Sequence, residues 1–132
     1  MPYPYSNQYT WPFPNLPVVV HPVEGILASP ALPALLDTGA DGTLVPAAHL
    51  RAIQADEIYT TRLRSHWGES RPVTVCLVDL EVAGHRLPGI EVVADERGKD
   101  VLLGRNVLNK LILLLNGPDG ETDVLSRRPA RV

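Results

Sequence analysis

Apolar and polar side chains alternate in one long stretch of this chain, between Pro72 and Val82. From Cys76 to Val82 every second residue is apolar, and these residues share one face of an extended chain. Asp79 and Glu81 lie on the other face. A period of two is typical of a β-strand that has one face on a hydrophobic core and the other in water. Such a strand needs other elements to cover its apolar face, so the sequence predicts a sheet.

Similar short apolar runs recur along the chain, and proline, glycine or charged turns separate them. They predict further strands at 17–23, 33–37, 42–45, 58–64, 87–94, 101–103, 111–115 and 121–125. The strands at 58–64 and 72–82 are joined by the polar segment 65–70, which predicts a long hairpin with an exposed tip. The predicted fold is mostly β, a small closed barrel-like domain or a sandwich, with one lobe per chain.

One or two short helices interrupt this pattern. Pro46 suits the first turn of a helix, and the apolar residues after it recur at helical spacing, which predicts a helix over 46–54. A second short helix is predicted over 105–110, directly after a glycine.

The composition is that of one globular domain, because 132 residues with 45% hydrophobic and 20% charged side chains suffice for a single core. Prolines and aromatic residues are concentrated near the N-terminus, which predicts an arm over 1–16, a folded domain over 17–126 and a polar tail over 127–132. The net charge of -3 lacks the positive footprint that nucleic-acid binding needs, so no nucleic-acid partner is expected.

The sequence also predicts a soluble protein of the cytoplasm, with no membrane partner, cofactor or metal ion. The basic start and apolar run of a secretory signal are missing, and the longest apolar run, Leu111 to Leu115, is too short to cross a bilayer. Cys76 is the only cysteine, so no internal disulfide can form, which suits a reducing compartment. The four histidines are scattered without the spacing of a metal site.

The segment LLDTGADGT, from Leu35 to Thr43, contains the sharpest chemical signal. Asp37 follows buried apolar residues and precedes a turn, so its carboxyl group is expected at the rim of the core, partly shielded from water, as is common for catalytic acids and bases. Gly39 permits a tight turn and the close approach of a second chain or a ligand, and the Thr38 hydroxyl can bond to backbone across a narrow gap. Taken alone, the tripeptide favours a structural turn.

A second block, VLLGRNVL from Val101 to Leu108, follows the predicted hairpin. In this order and spacing the two blocks resemble the retropepsin-like aspartic proteases, the single-domain retroviral and bacterial relatives of pepsin. The segment from Val78 to His85 is similar to the strand and turn after the flap of that family, and Pro46 with the helix after it resembles the bacterial members. The resemblance covers roughly residues 17 to 116.

The resemblance implies an aspartic endopeptidase. Asp37 matches the catalytic aspartate, Thr38 the threonine whose hydroxyl holds the partner's backbone, and Gly39 the glycine whose carbonyl lines the substrate cleft. Asp41 and Arg105 match an ion pair that braces the helix beneath the site, and we expect this pair to be partly buried. The residues expected to contact substrate are Ala40, Asp41, Trp67 and Gly68, and those expected to give structural support are Asp41, Gly104, Arg105 and Asn106.

The chain has one Asp-Thr-Gly, whereas aspartic protease chemistry needs two carboxyl groups about 3 Å apart that share a proton. The second Asp37 must then come from a second chain, so a C2 homodimer acting on a peptide or protein substrate is expected. Two other interpretations stay open. The same dimeric scaffold can hold a peptide without useful turnover, and a monomeric β domain can use the aspartate only as a turn residue.

Overall fold

The computed structural model describes residues 2–64 and 68–130 of the chain. Strands dominate it, and two short helices interrupt them. The strands are β1 (Tyr3–Pro4), β2 (Asn15–Pro22), β3 (Leu32–Leu36), β4 (Thr43–Pro46), β5 (Asp56–Arg64), β6 (Ser70–Val82), β7 (His85–Asp95), β8 (Val101–Leu103), β9 (Ile112–Asn116) and β10 (Glu121–Leu125), and the helices are α1 (Ala47–Ala52) and α2 (Arg105–Leu108).

Six of the strands close into a barrel. In the order β2, β3, β8, β4, β7 and β6 each strand pairs with the next, and β6 returns to pair with β2. The prediction of a small, mostly β, closed barrel is therefore confirmed. β5 pairs with β6 on its other side, and the two form the long hairpin that the sequence predicts.

The barrel interior is filled by aliphatic side chains that alternate along the strands. β2 buries Leu16, Val18 and Val20, and its intervening residues are half-buried. β6 buries Val78 and Leu80 in the same way, on the face that its sequence pattern predicts. Full burial of one such side chain contributes about 1.5–3 kcal/mol, so this core supplies a firm frame for the loops at the ends of the barrel.

Both helices are shorter than the sequence predicts. α1 begins after Pro46 and ends at Ala52, because Gln54 takes a left-handed conformation, with a φ of 58°, through which a helix cannot continue. α2 is a single turn that ends at Leu108. Within the described part of the chain, no helix has the length and apolar character needed to span a membrane.

A separate three-stranded sheet joins the two ends of the chain. β10 lies in its centre and pairs antiparallel with β1 on one side and with β9 on the other. The segment predicted as an N-terminal arm thus contributes a strand, and β2 already begins at Asn15, before the predicted domain boundary. The Tyr5 N–H also donates to the Gly120 carbonyl at 2.8 Å. β9 is left at the outer edge of this sheet.

Candidate active site

Asp37 lies directly after β3, at one end of the barrel. β3 runs parallel to β8, with Leu36 opposite Leu103, so the segments that follow the two strands emerge at the same edge. The Asp37 N–H donates to the Leu103 carbonyl at 3.0 Å, which extends the pairing to the aspartate itself. The two sequence blocks that carry the family resemblance are therefore side by side, although they are far apart in the sequence.

A tight turn over residues 37–42, here called the Asp37 loop, holds the carboxylate. The Gly39 N–H donates to Asp37 Oδ1 at 2.9 Å, and the Ala40 N–H donates to the Asp37 carbonyl at 3.2 Å. A Cβ atom at Gly39 would stand 3.2 Å from the same Oδ1 and would press on the carboxylate. Asp37 is half-buried and Thr38 is exposed, so a single chain presents both side chains at its surface.

Hydrogen bonds fasten α2 to the Asp37 loop. The Arg105 N–H donates to the Ala40 carbonyl at 2.8 Å, and the Asn106 N–H donates to the Asp41 carbonyl at 3.3 Å. The Arg105 guanidinium donates through Nη1 to the Thr38 carbonyl at 2.9 Å and through Nη2 to Asp41 Oδ1. One arginine thus ties the two ends of the loop to the same helix.

The ion pair between Asp41 and Arg105 is more exposed than the sequence analysis expects. It forms, but 94% of the Asp41 side chain and 43% of the Arg105 side chain remain accessible in the single chain. An exposed ion pair contributes about 0.2–1 kcal/mol, much less than a buried one. Arg105 therefore acts here mainly through the hydrogen bond that positions the Thr38 carbonyl.

Close packing between the two blocks requires the glycine before α2. Gly104 is buried, and a Cβ atom there would lie 2.1 Å from the Gly42 carbonyl oxygen and 3.0 Å from that of Ala40. Both oxygens belong to the backbone, which cannot swing aside as the end of a long side chain could. Only glycine lets the start of α2 approach the Asp37 loop this closely.

The structure adds one residue that the sequence analysis does not single out. Thr43 is fully buried, and its Oγ1 accepts from the Gly104 N–H at 3.1 Å and donates to Asn106 Oδ1 at 2.8 Å. Asn106 in turn donates through Nδ2 to the Glu91 carbonyl at 2.9 Å. The sequence does contain a signal for Thr43, because it is a hydroxyl residue directly before the apolar residues of a predicted strand.

Replacing Thr43 by valine is expected to lower the free energy of unfolding by about 1–3 kcal/mol. Valine keeps the shape of the side chain, but it leaves the buried Gly104 N–H and the half-buried Asn106 Oδ1 without their partner. Denaturant unfolding followed by circular dichroism measures the loss, and Thr43→Ser, which keeps the hydroxyl, should retain most of the stability.

Thr122→Val is the matched control for this substitution. The Thr122 side chain is also fully buried, but in the described structure its Oγ1 has no hydrogen-bond partner. The same change therefore breaks no hydrogen bond and is expected to be neutral or slightly stabilising. Equal losses in the two variants would contradict the role given to the Thr43 hydroxyl.

The predicted substrate contacts fall on two separate elements. Ala40 and Asp41 lie in the Asp37 loop, whereas Gly68 lies at the outer end of the β5–β6 hairpin, exposed and with a φ of 80°. Trp67 falls outside the described residues. The hairpin tip must therefore approach the loop, within one chain or across two, before these residues can share a substrate.

Cys76 is poorly suited to a nucleophilic role. It is buried on β6, and this burial, with smaller contributions from the charges of Glu57 and Asp56, raises the pKa of its thiol. The thiol form therefore predominates at neutral pH. Across residues 2–64 and 68–130, no group of three His, Cys, Asp or Glu side chains is placed to hold a metal ion.

Comparison with protein families finds one match, to the family described as aspartyl protease, over residues 23–107. This span makes up more than half of the chain and includes the Asp37 loop and all of α2 except Leu108. No curated protein sequence matches the chain.

Two proteases and one protease-like domain are among the solved structures of similar fold. The solution structure of Simian Foamy Virus (mac) protease is 24% identical, with a TM-score of 0.52, over 72% of this chain and 91% of that chain. EIAV protease complexed with the inhibitor HBY-793 is 20% identical, with a TM-score of 0.57, over 82% of this chain and 93% of that chain. The retroviral protease-like domain of Ddi1 from Leishmania major is 15% identical, with a TM-score of 0.55, over 87% of this chain and 90% of that chain. At these identities the likeness establishes a shared fold.

Proposed function

The chain belongs to the aspartyl protease family, and we propose that it is an endopeptidase whose active site is a pair of Asp37 carboxyl groups, one from each subunit of a homodimer. The observation that carries the proposal is the setting of Asp37. Its carboxylate is oriented by the Gly39 N–H, on a loop that α2 and the buried Thr43 network hold in place, and it is only half-buried. A turn residue with no further role would not need this support.

The number of carboxyl groups supports a dimer. The sequence contains a single Asp-Thr-Gly, and two carboxyl groups held about 3 Å apart cannot both ionise, so they share one proton. A two-fold axis beside Asp37 supplies the second group from an identical loop. Across the described residues the Thr38 hydroxyl has no hydrogen-bond partner within its own chain, which leaves it available to the loop of the other subunit.

The reaction then follows from the shared proton. The ionised Asp37 accepts a proton from a water held between the two carboxyl groups, and the oxygen of that water attacks the peptide carbonyl carbon. The protonated Asp37 of the other subunit donates to the carbonyl oxygen as negative charge develops there. The Asp37 that accepted the proton of the water then donates it to the leaving nitrogen, and the C–N bond breaks. The other Asp37 takes a proton back from a hydroxyl of the tetrahedral intermediate as it collapses to the carboxylic acid, so the dyad again holds one proton. Because the dyad works with one proton, activity should pass through a maximum and fall toward both acid and alkaline pH.

The outer edge of the three-stranded sheet supports a specific contact between subunits. β9 pairs with β10 on one side, and among the described residues no strand covers its other side. Its apolar side chains are also poorly covered, since 38% of Ile112, 48% of Leu114 and 50% of Leu115 are accessible. An apolar edge strand pairs readily with another strand, and we propose that β9 pairs with β9 of the second subunit.

The β5–β6 hairpin is the proposed flap. Eight of the nine residues of β5 are exposed, so this arm covers none of the barrel core and is available to cover a substrate. An extended peptide seated between the hairpin and the two Asp37 loops would present its backbone to strand edges, as in other cases of strand addition. We propose that Ala40, Asp41, Trp67 and Gly68 contact that peptide.

Digestion of an unfolded protein from acid to neutral pH, with and without pepstatin, tests the proposed function. We expect cleavage with a bell-shaped pH dependence, inhibition by pepstatin, and a specific activity that falls on dilution as the dimer dissociates. Cleavage that resists pepstatin and stops with a chelator or a thiol reagent would contradict the proposal. Selective peptide binding with no cleavage at any pH would instead favour the binding module.

We further propose a reducing compartment, the cytoplasm, as the place of action. The one cysteine of the chain, Cys76, is buried and free. A small domain without disulfides relies on its core alone, as is usual for proteins kept under reducing conditions.

A further inference from the structure

An open cavity of about 450 Å³ lies beside the outer half of the β5–β6 hairpin. The hairpin forms most of its wall, and Arg97, in the turn between β7 and β8, forms the rest. The lining residues are Leu63, Arg64, Glu69, Ser70, Arg71 and Arg97. β8 leads from this turn to Leu103, whose carbonyl accepts the Asp37 N–H, so the turn that contains Arg97 is continuous with the strand that supports the proposed catalytic group.

The lining is positively charged, which is unusual for this protein. Arg64, Arg71 and Arg97 contribute three guanidinium groups, and Glu69 is the one acid among the lining residues. The whole chain has a net charge of -3. A concave basic surface on an acidic protein concentrates the field that attracts an anion.

Asp95, the acid at the end of β7 beside Arg97, already has hydrogen-bond partners. Asp95 is mostly buried, with 10% of its side chain accessible, and its Oδ1 accepts from the N–H groups of Arg97 and Gly98 at 3.0 Å each. The Arg71 guanidinium lies 3.8 Å from the same oxygen. Asp95 therefore shapes the turn and holds Arg71, and it cannot also neutralise the other two arginines.

The remaining acids of the same turn are also occupied. Glu96 pairs with Arg51 at 3.1 Å, outside the cavity. Asp100 accepts a hydrogen bond from the Tyr9 hydroxyl at 2.9 Å. Across residues 2–64 and 68–130, the guanidinium groups of Arg64 and Arg97 have neither an ion pair nor a hydrogen bond. Both side chains are exposed and face the same cavity.

We propose that this cavity is a subsite for a carboxylate of the bound peptide, held by Arg64 and Arg97, so that the enzyme selects substrates with Asp or Glu at one fixed position. Guanidinium groups bind carboxylates through paired, charge-assisted hydrogen bonds, and the half-buried Leu63 offers an apolar wall to the stem of the acidic side chain. The inference rests on the proposed function, because it assumes a peptide beneath the hairpin. Arg97 and Leu103 are six residues apart in the chain. At about 3.3 Å per residue, six residues of an extended peptide span at least that distance, so the position lies within about six residues of the scissile bond.

Peptide binding tests this subsite without relying on turnover. The probes are fluorescein-labelled, C-terminally amidated decapeptide libraries in which one position at a time is fixed as Glu or as Gln. The protein is the full chain with Asp37→Asn, which keeps the peptides intact, and fluorescence anisotropy gives the affinity. At one position we expect the Glu library to bind about fivefold to tenfold more tightly than the Gln library. Adding Arg64→Gln and Arg97→Gln should abolish that difference.

Arg127→Gln with Arg128→Gln is the matched control, because it makes the same change of charge in the exposed C-terminal segment, and the preference for Glu should persist. Equal binding of the Glu and Gln libraries at every position, or a preference that survives loss of Arg64 and Arg97, would overturn the subsite. A second set of the same libraries with a free C-terminus separates the two sources of a carboxylate. Tighter binding of that set, with no difference between Glu and Gln at any position, would overturn the side-chain subsite and assign the two arginines to the chain end.

Failure of the subsite and failure of the proposed function give different results. Cleavage of peptides by the unmodified protein with no preference for acidic residues would remove the subsite and leave the endopeptidase. A preference for Glu that depends on both arginines, in a protein that cleaves nothing, would keep the subsite and remove the catalytic assignment.

Discussion

Replacing Asp37 by asparagine is expected to abolish peptide hydrolysis while the fold and the dimer remain intact. Asparagine cannot act as a base or share a proton, and in a homodimer both members of the dyad change at once, so kcat should fall by at least about 10⁴-fold. The amide oxygen can still accept the Gly39 N–H, as Asp37 Oδ1 does at 2.9 Å. Turnover of a fluorogenic peptide and sedimentation velocity measure the two properties separately.

Glu24→Gln is the control for this change. It also converts a carboxylate into an amide, at an exposed position in the loop between β2 and β3, and it should leave the rate unaltered. If Asp37→Asn kept a substantial fraction of the original rate, Asp37 would be a turn residue and the dyad would be wrong. If the variant lost the dimer as well, the carboxyl groups would be needed for assembly, and the inactivity would not identify a catalytic role.

The positions of most strands could be predicted from local patterns. β10 is found over Glu121–Leu125, as the sequence predicts, because turn residues directly before it fix its start. The alternation in β6 likewise predicts which side chains enter the core. These features depend on residues that are neighbours in the chain, and a single sequence contains that information.

The partner of each strand could not be predicted in the same way. β1 and β10 come from opposite ends of the chain, with Tyr3 opposite Thr122, and the short proline-rich β1 has no alternation that would reveal this pairing. Periodicity shows which face of a strand is apolar, but not which strand lies beside it. The N-terminal segment therefore resembled an arm, although it adds a strand to the outer sheet.

The residues of the site that belong to a sequence motif could be predicted. The exposure or burial of a site residue could not, because it depends on tertiary packing. Asp37 and Arg105 are visible because each sits in a recognisable block, and the structure brings the two blocks together. The exposure of Asp41 and the burial of Thr43 depend on which other elements cover them. That coverage is a property of the whole fold. The ion pair expected to be partly buried is therefore exposed, and the buried Thr43 hydroxyl at the centre of a hydrogen-bond network was missed.

Replacing Leu114 by lysine is expected to separate the subunits and to inactivate the enzyme in parallel. Leu114 lies in β9, with 48% of its side chain accessible in the single chain, so the monomer can hold a lysine there. Across a two-fold axis the substitution occurs twice. Losing the burial of both leucines should weaken the dimer by at least about 100-fold in Kd. Sedimentation equilibrium measures that change, and the concentration dependence of peptide turnover should shift by the same factor.

Leu27→Lys makes the same substitution at a leucine that is 45% accessible, in the loop between β2 and β3, and it should affect neither dimer nor rate. A Leu114→Lys protein that stays dimeric and active would place the subunit contact away from β9. A Leu114→Lys protein that becomes monomeric and yet cleaves peptides at the original rate would contradict the proposed catalytic dyad. One carboxyl group would then suffice, and the shared-proton mechanism, which needs an identical aspartate across the axis, could not be correct.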